Sequence, residues 1–212
     1  RERMTEVEEQ FSTRIERLRE MVRSGHVDNQ DDIKQEMAHF ARNFEALRYF
    51  VSIATKKHEF RRLSSAQSFY VCGNSDFYMR LNAWYPQGNA SGERLKRLKS
   101  YFAIDECHNH AVDFFTVGVF GPGYTTEFKV SSSDLSGLQI GDQIDFDSVW
   151  TEQLELGRAL FIPKTSHFHT QFHPAEYSMS LNLVISEDVK CLQYTLEKDR
   201  KTVRDIFDLI GV

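Results

Sequence analysis

The chain has 212 residues, of which 41% are hydrophobic and 27% are charged, and its net charge at pH 7 is −5. These shares are typical of soluble globular proteins and argue against disordered and fibrous classes. A negative net charge provides no general attraction to nucleic acid or to anionic membranes, so neither is expected as a partner.

The first quarter of the chain carries the periodicity of helices. Apolar residues recur at helical spacing from Val7 to Met21, which predicts a helix over about residues 5–24, and again from Ile33 to Ala54, which predicts one longer helix. We expect this helical pair to form an N-terminal extension over residues 1–62.

From about residue 68 the pattern changes to short, aromatic-rich runs bounded by Gly, Pro, Asn and Gln. Such runs are typical of strands joined by turns. Strands are predicted over 68–72, 77–85, 114–120, 125–130, 143–146, 159–162, 177–185 and 190–196. Many short strands with turns between them predict a barrel or a jelly roll.

A C-terminal helix is predicted over residues 198–210, because apolar residues recur three and four positions apart between Val203 and Ile210. Residues 63–212 are therefore expected to form one β-barrel domain that ends in this helix.

The compartment is predicted from apolar runs and cysteines. No apolar run approaches the roughly 20 residues that span a bilayer, and the chain begins with charge instead of an apolar signal segment. Cys72, Cys107 and Cys191 form no CxxC pair and leave an odd thiol, which suits a reducing compartment. We expect a cytoplasmic protein with no membrane partner.

Five of the eight histidines lie in two tight groups, His108-Asn109-His110 and His167-Phe168-His169 with His173 just beyond. Residues i and i+2 of a strand project to the same face, so each HxH pair directs two imidazoles to one side of a sheet. If that side is the barrel interior, the rings converge. Imidazole is a ligand suited to iron, copper, zinc or nickel, and three protein ligands leave positions open for other molecules.

Two segments around these histidines resemble the metal motifs of the cupin superfamily. His108 to Gly121 is similar to the first motif, in which HxH enters a strand that ends in glycine. Gly157 to His167 is similar to the second, in which a glycine turn, a strand and a proline lead to the last histidine. The resemblance covers roughly residues 68–196 and implies a cupin-type double-stranded β-helix, a jelly-roll barrel that is mainly β with added helices.

The resemblance also implies a metal site. Its expected ligands are His108, His110 and His167. His169 shares a face with His167 and is an alternative third ligand, a support for another ligand, or a proton relay. Asp113 is the acid nearest to the position where cupins carry a ligating glutamate, and it is a further alternative.

A substrate pocket is implied by one branch of the superfamily, whose members resemble thiol dioxygenases. In that branch three histidines bind iron, and an arginine on an upstream strand captures the substrate carboxylate, a role that Arg80 fits here. Asn82 alternates with Arg80 on the same strand face. The expected substrate-binding residues are completed by Tyr85, His169 and Asn182.

Three functions remain open on the sequence. The first is a mononuclear non-haem oxygenase that uses Fe(II), or another divalent transition metal, and O2 to oxidise a small carboxylate- or amine-bearing molecule. The second is a JmjC-like hydroxylase dependent on 2-oxoglutarate; Tyr177–Asn182 resembles a strand of that branch, whereas His110 stands where those enzymes carry an acid. The third is a non-catalytic metal-binding or sensory cupin. The amphipathic terminal segments lead us to expect a homodimer.

Overall fold

The structure is a computed structural model that describes residues 2–65, 67–88, 90–186 and 191–208, without the side chains of residues 2–5, 98 and 100–102. The helices are α1 (Glu2–Arg23), α2 (Gln30–Ala41), α3 (Phe44–Ala54), α4 (His58–Leu63) and α5 (Gly92–Phe102). The strands are β1 (Ser68–Gly73), β2 (Phe77–Trp84), β3 (Phe114–Phe120), β4 (Thr125–Val130), β5 (Ser148–Gln153), β6 (Ala159–Ile162), β7 (His167–Gln171), β8 (Ser178–Ile185), β9 (Leu192–Leu196) and β10 (Val203–Asp208). Within these ranges, no helix has both the length and the apolar character needed to cross a bilayer.

The strands form two antiparallel sheets and a hairpin. The larger sheet has the order β1-β2-β8-β3-β6, the smaller has the order β5-β4-β7, and β9 pairs with β10. Residues 104–109 lie between β7 and β9. The backbone N–H of His108 donates to the carbonyl of His169 at 3.1 Å, and that of Leu196 donates to the carbonyl of Cys107 at 2.8 Å. This segment therefore extends the smaller sheet and joins it to the hairpin.

The strand order is that of an eight-stranded jelly roll. Counted from β2, with residues 104–109 as the second strand, the two sheets have the orders 1-8-3-6 and 5-4-7-2. Two four-stranded sheets connected in this way enclose one barrel interior. The mainly β, cupin-type double-stranded β-helix with flanking helices is confirmed.

The outer face of the larger sheet and part of the outer face of the smaller sheet are covered. Apolar side chains on the outer face of the larger sheet pack against the N-terminal helices in one buried cluster that includes Leu18, Ile33, Met37, Leu47, Met79, Leu81, Phe115, Val117, Leu181 and Leu183. A second cluster lies between the smaller sheet and the β9–β10 hairpin and includes Cys107, Phe168, Tyr194, Leu196 and Val203. The helices and the barrel thus share a core, and the division into residues 1–62 and 63–212 stays a prediction.

The prediction of one long second helix is wrong, because the chain breaks between α2 and α3. Asn43 has φ −135° and ψ 64°, and its side chain accepts a hydrogen bond from the N–H of Ala46 at 3.1 Å. An asparagine that caps in this way begins a new helix. The apolar stripe continues across the break, since Phe40 and Leu47 are both buried in the same cluster.

The predicted C-terminal helix is also wrong over the described residues, which form β10 instead. The pairing of β10 with β9 shifts register between Val203 and Asp205, so Arg204 is an extra residue in the strand. A bulge of this kind turns the strand spacing of two into three. Val203 and Ile206 therefore both pack on the same cluster while carrying the spacing of a helix. Ile210 lies outside the described residues.

The strand predicted over 143–146 is absent. Gln143 makes an isolated backbone pair with Thr202, and the strand follows later, at β5. β5 pairs with β4 alone among the described strands, and most of its residues are exposed. An exposed edge strand does not show the apolar alternation by which strands are recognised in a sequence.

Candidate metal centre

Three histidines meet inside the barrel. His108 belongs to the strand-like segment 104–109, His110 follows it, and His169 lies on β7. The Nε2 atom of His169 is 2.8 Å from Nε2 of His110 and 3.2 Å from Nε2 of His108. One ligand atom of each ring lies within 4.8 Å of the others. This arrangement suits three imidazoles that share one cation.

Burial disfavours the charged form of all three rings. Burial lowers the pKa of His108 below its usual value. Burial is also the main reason why the pKa values of His110 and His169 lie well below the usual range, and in both rings the nearby His108 adds to the effect. Neutral imidazoles keep a nitrogen lone pair, which is the form that binds metals.

Polar groups lie beside the second nitrogen of two of the rings. The Nδ1–H of His108 donates to the carbonyl of Glu106 at 2.9 Å, so Nε2 carries the lone pair. Gln171 places its amide nitrogen 3.3 Å from both Nδ1 and Nε2 of His169, while its buried Oε1 has no partner among the described residues. Turning this amide over brings an acceptor to the Nδ1–H of His169, the tautomer in which Nε2 keeps its lone pair for a metal. Partners of this kind are usual around ligating histidines, so the residues fit a metal ion.

Asn109 fixes the backbone that carries His108 and His110. Its side chain is fully buried and points away from the rings. Its Nδ2 donates to the carbonyl of Thr165 at 2.8 Å, and its Oδ1 accepts from the N–H of Tyr194 at 2.6 Å. The sequence analysis assigned Asn109 no role, although its place between two candidate ligands, on the opposite strand face, was the signal that could have found it.

His169, and not the predicted His167, lies in the cluster with His108 and His110, so His169 takes the place expected for the third ligand, and metal binding itself stays a prediction. Successive same-face residues of a strand lie about 6.7 Å apart, so only one of the two histidines reaches the level of His108. The backbone pairing sets His169 opposite His108. His167 is half-buried beside Trp150, with ring centroids 6.2 Å apart, and its Nδ1 lies 2.9 Å from Ser166 Oγ.

Asp113, the alternative acidic ligand, is engaged elsewhere. Its Oδ2 lies 2.7 Å from Nε2 of His26, in the turn between α1 and α2. Its Oδ1 accepts from the backbone N–H of Lys164 at 2.5 Å. The histidine cluster therefore contains nitrogen ligands and no carboxylate among the described residues.

A pocket of about 380 Å³ opens beside His110. Arg80 and Asn182, both predicted to bind substrate, line it together with Tyr78. The guanidinium of Arg80 lies over the Tyr78 ring, 5.3 Å from its centroid, and its buried Nε has no hydrogen-bond partner among the residues that the structure describes. This pocket wall presents a positive charge next to a candidate metal ligand.

Two other predicted substrate-binding residues lie away from this pocket. Asn82 is buried, and its Oδ1 accepts a hydrogen bond from the hydroxyl of Ser68. Tyr85 lies beyond the end of β2, exposed, with its ring 5.1 Å from that of Tyr177. Both follow Arg80 in the chain and lie beyond the part of β2 that lines the pocket. Their place on or just after the same strand could not show which of the three residues reaches the pocket.

Hydrogen bonds join polar side chains in the barrel interior beyond Arg80. Thr116 donates to Asn182 Oδ1 at 2.7 Å, and Trp84 Nε1–H donates to Ser180 at 2.9 Å. Tyr124 is buried in the same region, and burial raises the pKa of its hydroxyl. This network occupies space behind the pocket, which favours small ligands.

Comparisons with known proteins found similar solved structures at low sequence identity. No family model matches the chain, and no curated protein matches it. Similar solved structures include a cupin domain from Bordetella pertussis Tohama I, at 12% identity over 57% of this chain and 92% of that one, with a TM-score of 0.33.

Two enzymes are also among the similar structures. DMSP lyase DddQ from Ruegeria pomeroyi DSS-3 is 13% identical over 65% of this chain and 53% of that one, with a TM-score of 0.32. The polyketide cyclase RemF from Streptomyces resistomycificus is 11% identical over 69% of this chain and 74% of that one, with a TM-score of 0.33. At these values the function has to be argued from the site itself.

Proposed function

We propose that this chain is a metal-dependent oxygenase that uses Fe(II) and O2 to oxidise a small, carboxylate-bearing molecule. The observation that supports it is the cluster of the buried imidazoles of His108, His110 and His169 beside a pocket lined by Arg80, whose Nε has no hydrogen-bond partner among the described residues. His108, His110 and His169 are the proposed ligands.

The donor set favours a borderline transition metal. Three imidazole nitrogens suit iron, copper, zinc or nickel more than magnesium or calcium, which prefer oxygen ligands. Without a carboxylate, the site keeps the full charge of a divalent ion and attracts an anionic substrate. When bound, Fe(II) would supply Lewis acidity and the electrons that O2 activation requires.

Arg80 is the proposed substrate-binding group. A guanidinium matches a carboxylate through two parallel N–H donors, and its buried Nε is available for such a bond. Asn182 pairs with Arg80 across strands β2 and β8, so its amide lies in the same part of the pocket. The carboxylate would thus be held next to His110.

Two phenylalanines wall the metal centre. The ring of Phe114 lies 4.7 Å from that of His110, and the ring of Phe128 stacks 5.9 Å from that of His169. Both are buried. Apolar walls exclude water and strengthen the electrostatic interactions inside a site.

Oxygen uptake tests the proposal. The protein is loaded anaerobically with Fe(II), and uptake is measured with a panel of small thiol-, amino- and hydroxy-carboxylates. We expect substrate-dependent uptake that His110→Ala abolishes and that Arg80→Met reduces chiefly through a higher KM. Succinate formed from added 2-oxoglutarate would instead identify the hydroxylase, and bound metal without any uptake would identify a binding protein.

A further inference from the structure

The N-terminal helices contact the loop that follows His110. His26, in the turn between α1 and α2, places Nε2 2.7 Å from Oδ2 of Asp113. The other carboxylate oxygen of Asp113 accepts from the N–H of Lys164 at 2.5 Å. Asp113 is 6% exposed, so this carboxylate is held almost entirely by the chain.

Hydrogen bonds hold the turn that carries His26. Gly25 follows the end of α1 and has φ +117°, a backbone conformation that residues other than glycine rarely adopt. The Nδ2 of Asn29 donates to the carbonyls of Met21 and Gly25, at 3.1 and 2.9 Å. Because these bonds fix the turn, His26 is presented to Asp113 in one position.

Loop 163–166 connects Asp113 with the backbone of His110. The N–H of Lys164 binds the Asp113 carboxylate, and the N–H of the next residue, Thr165, donates to the carbonyl of His110 at 2.9 Å. Residues 110–113 are therefore hydrogen-bonded to this loop at both of their ends, through His110 and through Asp113. A change at Asp113 reaches His110 along a short, hydrogen-bonded path.

We propose that His26 is a positioning residue of the metal centre, which acts through Asp113 to hold His110 in place. This inference rests on the proposed function, because it takes His110 as a metal ligand. It gives the helical segment a role in the site as well as in the core, since the barrel supplies the ligand and α1–α2 supplies the group that steadies its loop.

A second tether between the helices and the barrel provides a matched control. Arg19 and Arg23 of α1 donate from Nε to Oδ2 of Asp76, at 2.8 and 3.0 Å, in the turn between β1 and β2. Asp76→Asn weakens helix attachment at a position outside residues 104–113 and loop 163–166. It therefore separates loss of helix packing from loss of the His26 contact.

Hydrogen exchange of the metal-free protein tests whether His26 holds the loop. In His26→Ala, the amides of Lys164 and Thr165 are expected to exchange about tenfold faster than in the parent. His26→Gln keeps an N–H donor of similar reach and should restore most of the protection. Exchange equal to that of the parent in His26→Ala, or equal acceleration in Asp76→Asn, would overturn the inference.

Cobalt(II) titration followed by visible absorption tests the link to the metal centre. The dissociation constant should rise about tenfold in His26→Ala, with a changed absorption band, and stay near the parent value in Asp76→Asn and His26→Gln. An unchanged constant in His26→Ala would overturn the link. A parent protein that binds no metal would overturn the proposed function, and with it the role of His26 in the metal centre. The hydrogen-exchange result does not depend on metal binding and tests only whether His26 holds the loop.

Discussion

Replacing Asn109 with alanine should destabilise the fold and weaken metal binding together. The substitution removes both hydrogen bonds of a fully buried amide and leaves the N–H of Tyr194 and the carbonyl of Thr165 without partners. Each unsatisfied buried group costs about 1–3 kcal/mol, and Thr165, being only half-buried, belongs at the lower end. We therefore expect a loss of about 2–4 kcal/mol in the free energy of unfolding.

Urea unfolding of the metal-free protein measures this loss as a lower midpoint at an unchanged slope. Asn43→Ala is the control, because it removes the cap of α3 and should cost about 1 kcal/mol without changing metal affinity. Asn109→Ala should also lower metal affinity by about 10–100-fold, as is usual when a group that supports ligands is lost. A stability within 0.5 kcal/mol of the parent would refute the reasoning, since roughly that difference is expected for surface changes alone.

Four further predictions test other parts of the molecule. Arg80→Met should raise the dissociation constant of small carboxylates by about 10–100-fold in calorimetric titration, with Arg80→Lys in between, because a charge-assisted bond pair is lost. Gln171→Leu should weaken metal binding by about tenfold and Gln171→Glu should not, because only the second keeps an acceptor for His169 Nδ1. Phe168→Ala should cost about 3–5 kcal/mol in urea, since this ring is fully buried. Hydrogen bonds from Arg19 are the main reason why the pKa of Asp76 is lowered, so its contribution is present above the ordinary carboxyl pKa and lost as pH falls through the folded-state value. The difference in melting temperature between the parent and Asp76→Asn should therefore shrink from about pH 5 to about pH 3, and a difference that grows would contradict it.

Some strands could be predicted from the sequence, namely those with one face toward the barrel interior and the other toward an outer hydrophobic cluster. The bounds of β3, β4 and β6 agree with the predicted ranges, because each lies between turn residues and because β3 and β6 are also rich in apolar residues. β5 escaped prediction, since it is an exposed edge strand and carries no such run. Strands that are buried in the barrel can therefore be recognised from the sequence.

The C-terminal error has a different cause. A bulge at Arg204 gives Val203 and Ile206 the spacing of a helix within a strand, and spacing alone cannot distinguish the two. The break at Asn43 was missed for a related reason, because the apolar stripe runs on through it. In both cases a local irregularity preserved the burial pattern while the backbone changed.

A histidine cluster could be predicted from the sequence, and the structure places His108 and His110 in it as expected, whereas their role as metal ligands stays a prediction. The choice between His167 and His169 depends on the register of β7 against residues 104–109, which is set by backbone pairing and by the length of the connecting loop. Neither can be read from a motif. The contact between His26 and Asp113 joins residues 87 positions apart in the sequence, so it could be found only in the folded structure.

Metal content per chain is the most direct test of the metal centre. The protein is purified without chelator, reloaded anaerobically with Fe(II), and analysed by elemental analysis as parent, His169→Ala and His167→Ala. The account predicts close to one iron per parent chain, its loss in His169→Ala and its retention in His167→Ala. A parent that holds no metal, or iron that is lost in His167→Ala and kept in His169→Ala, would contradict it.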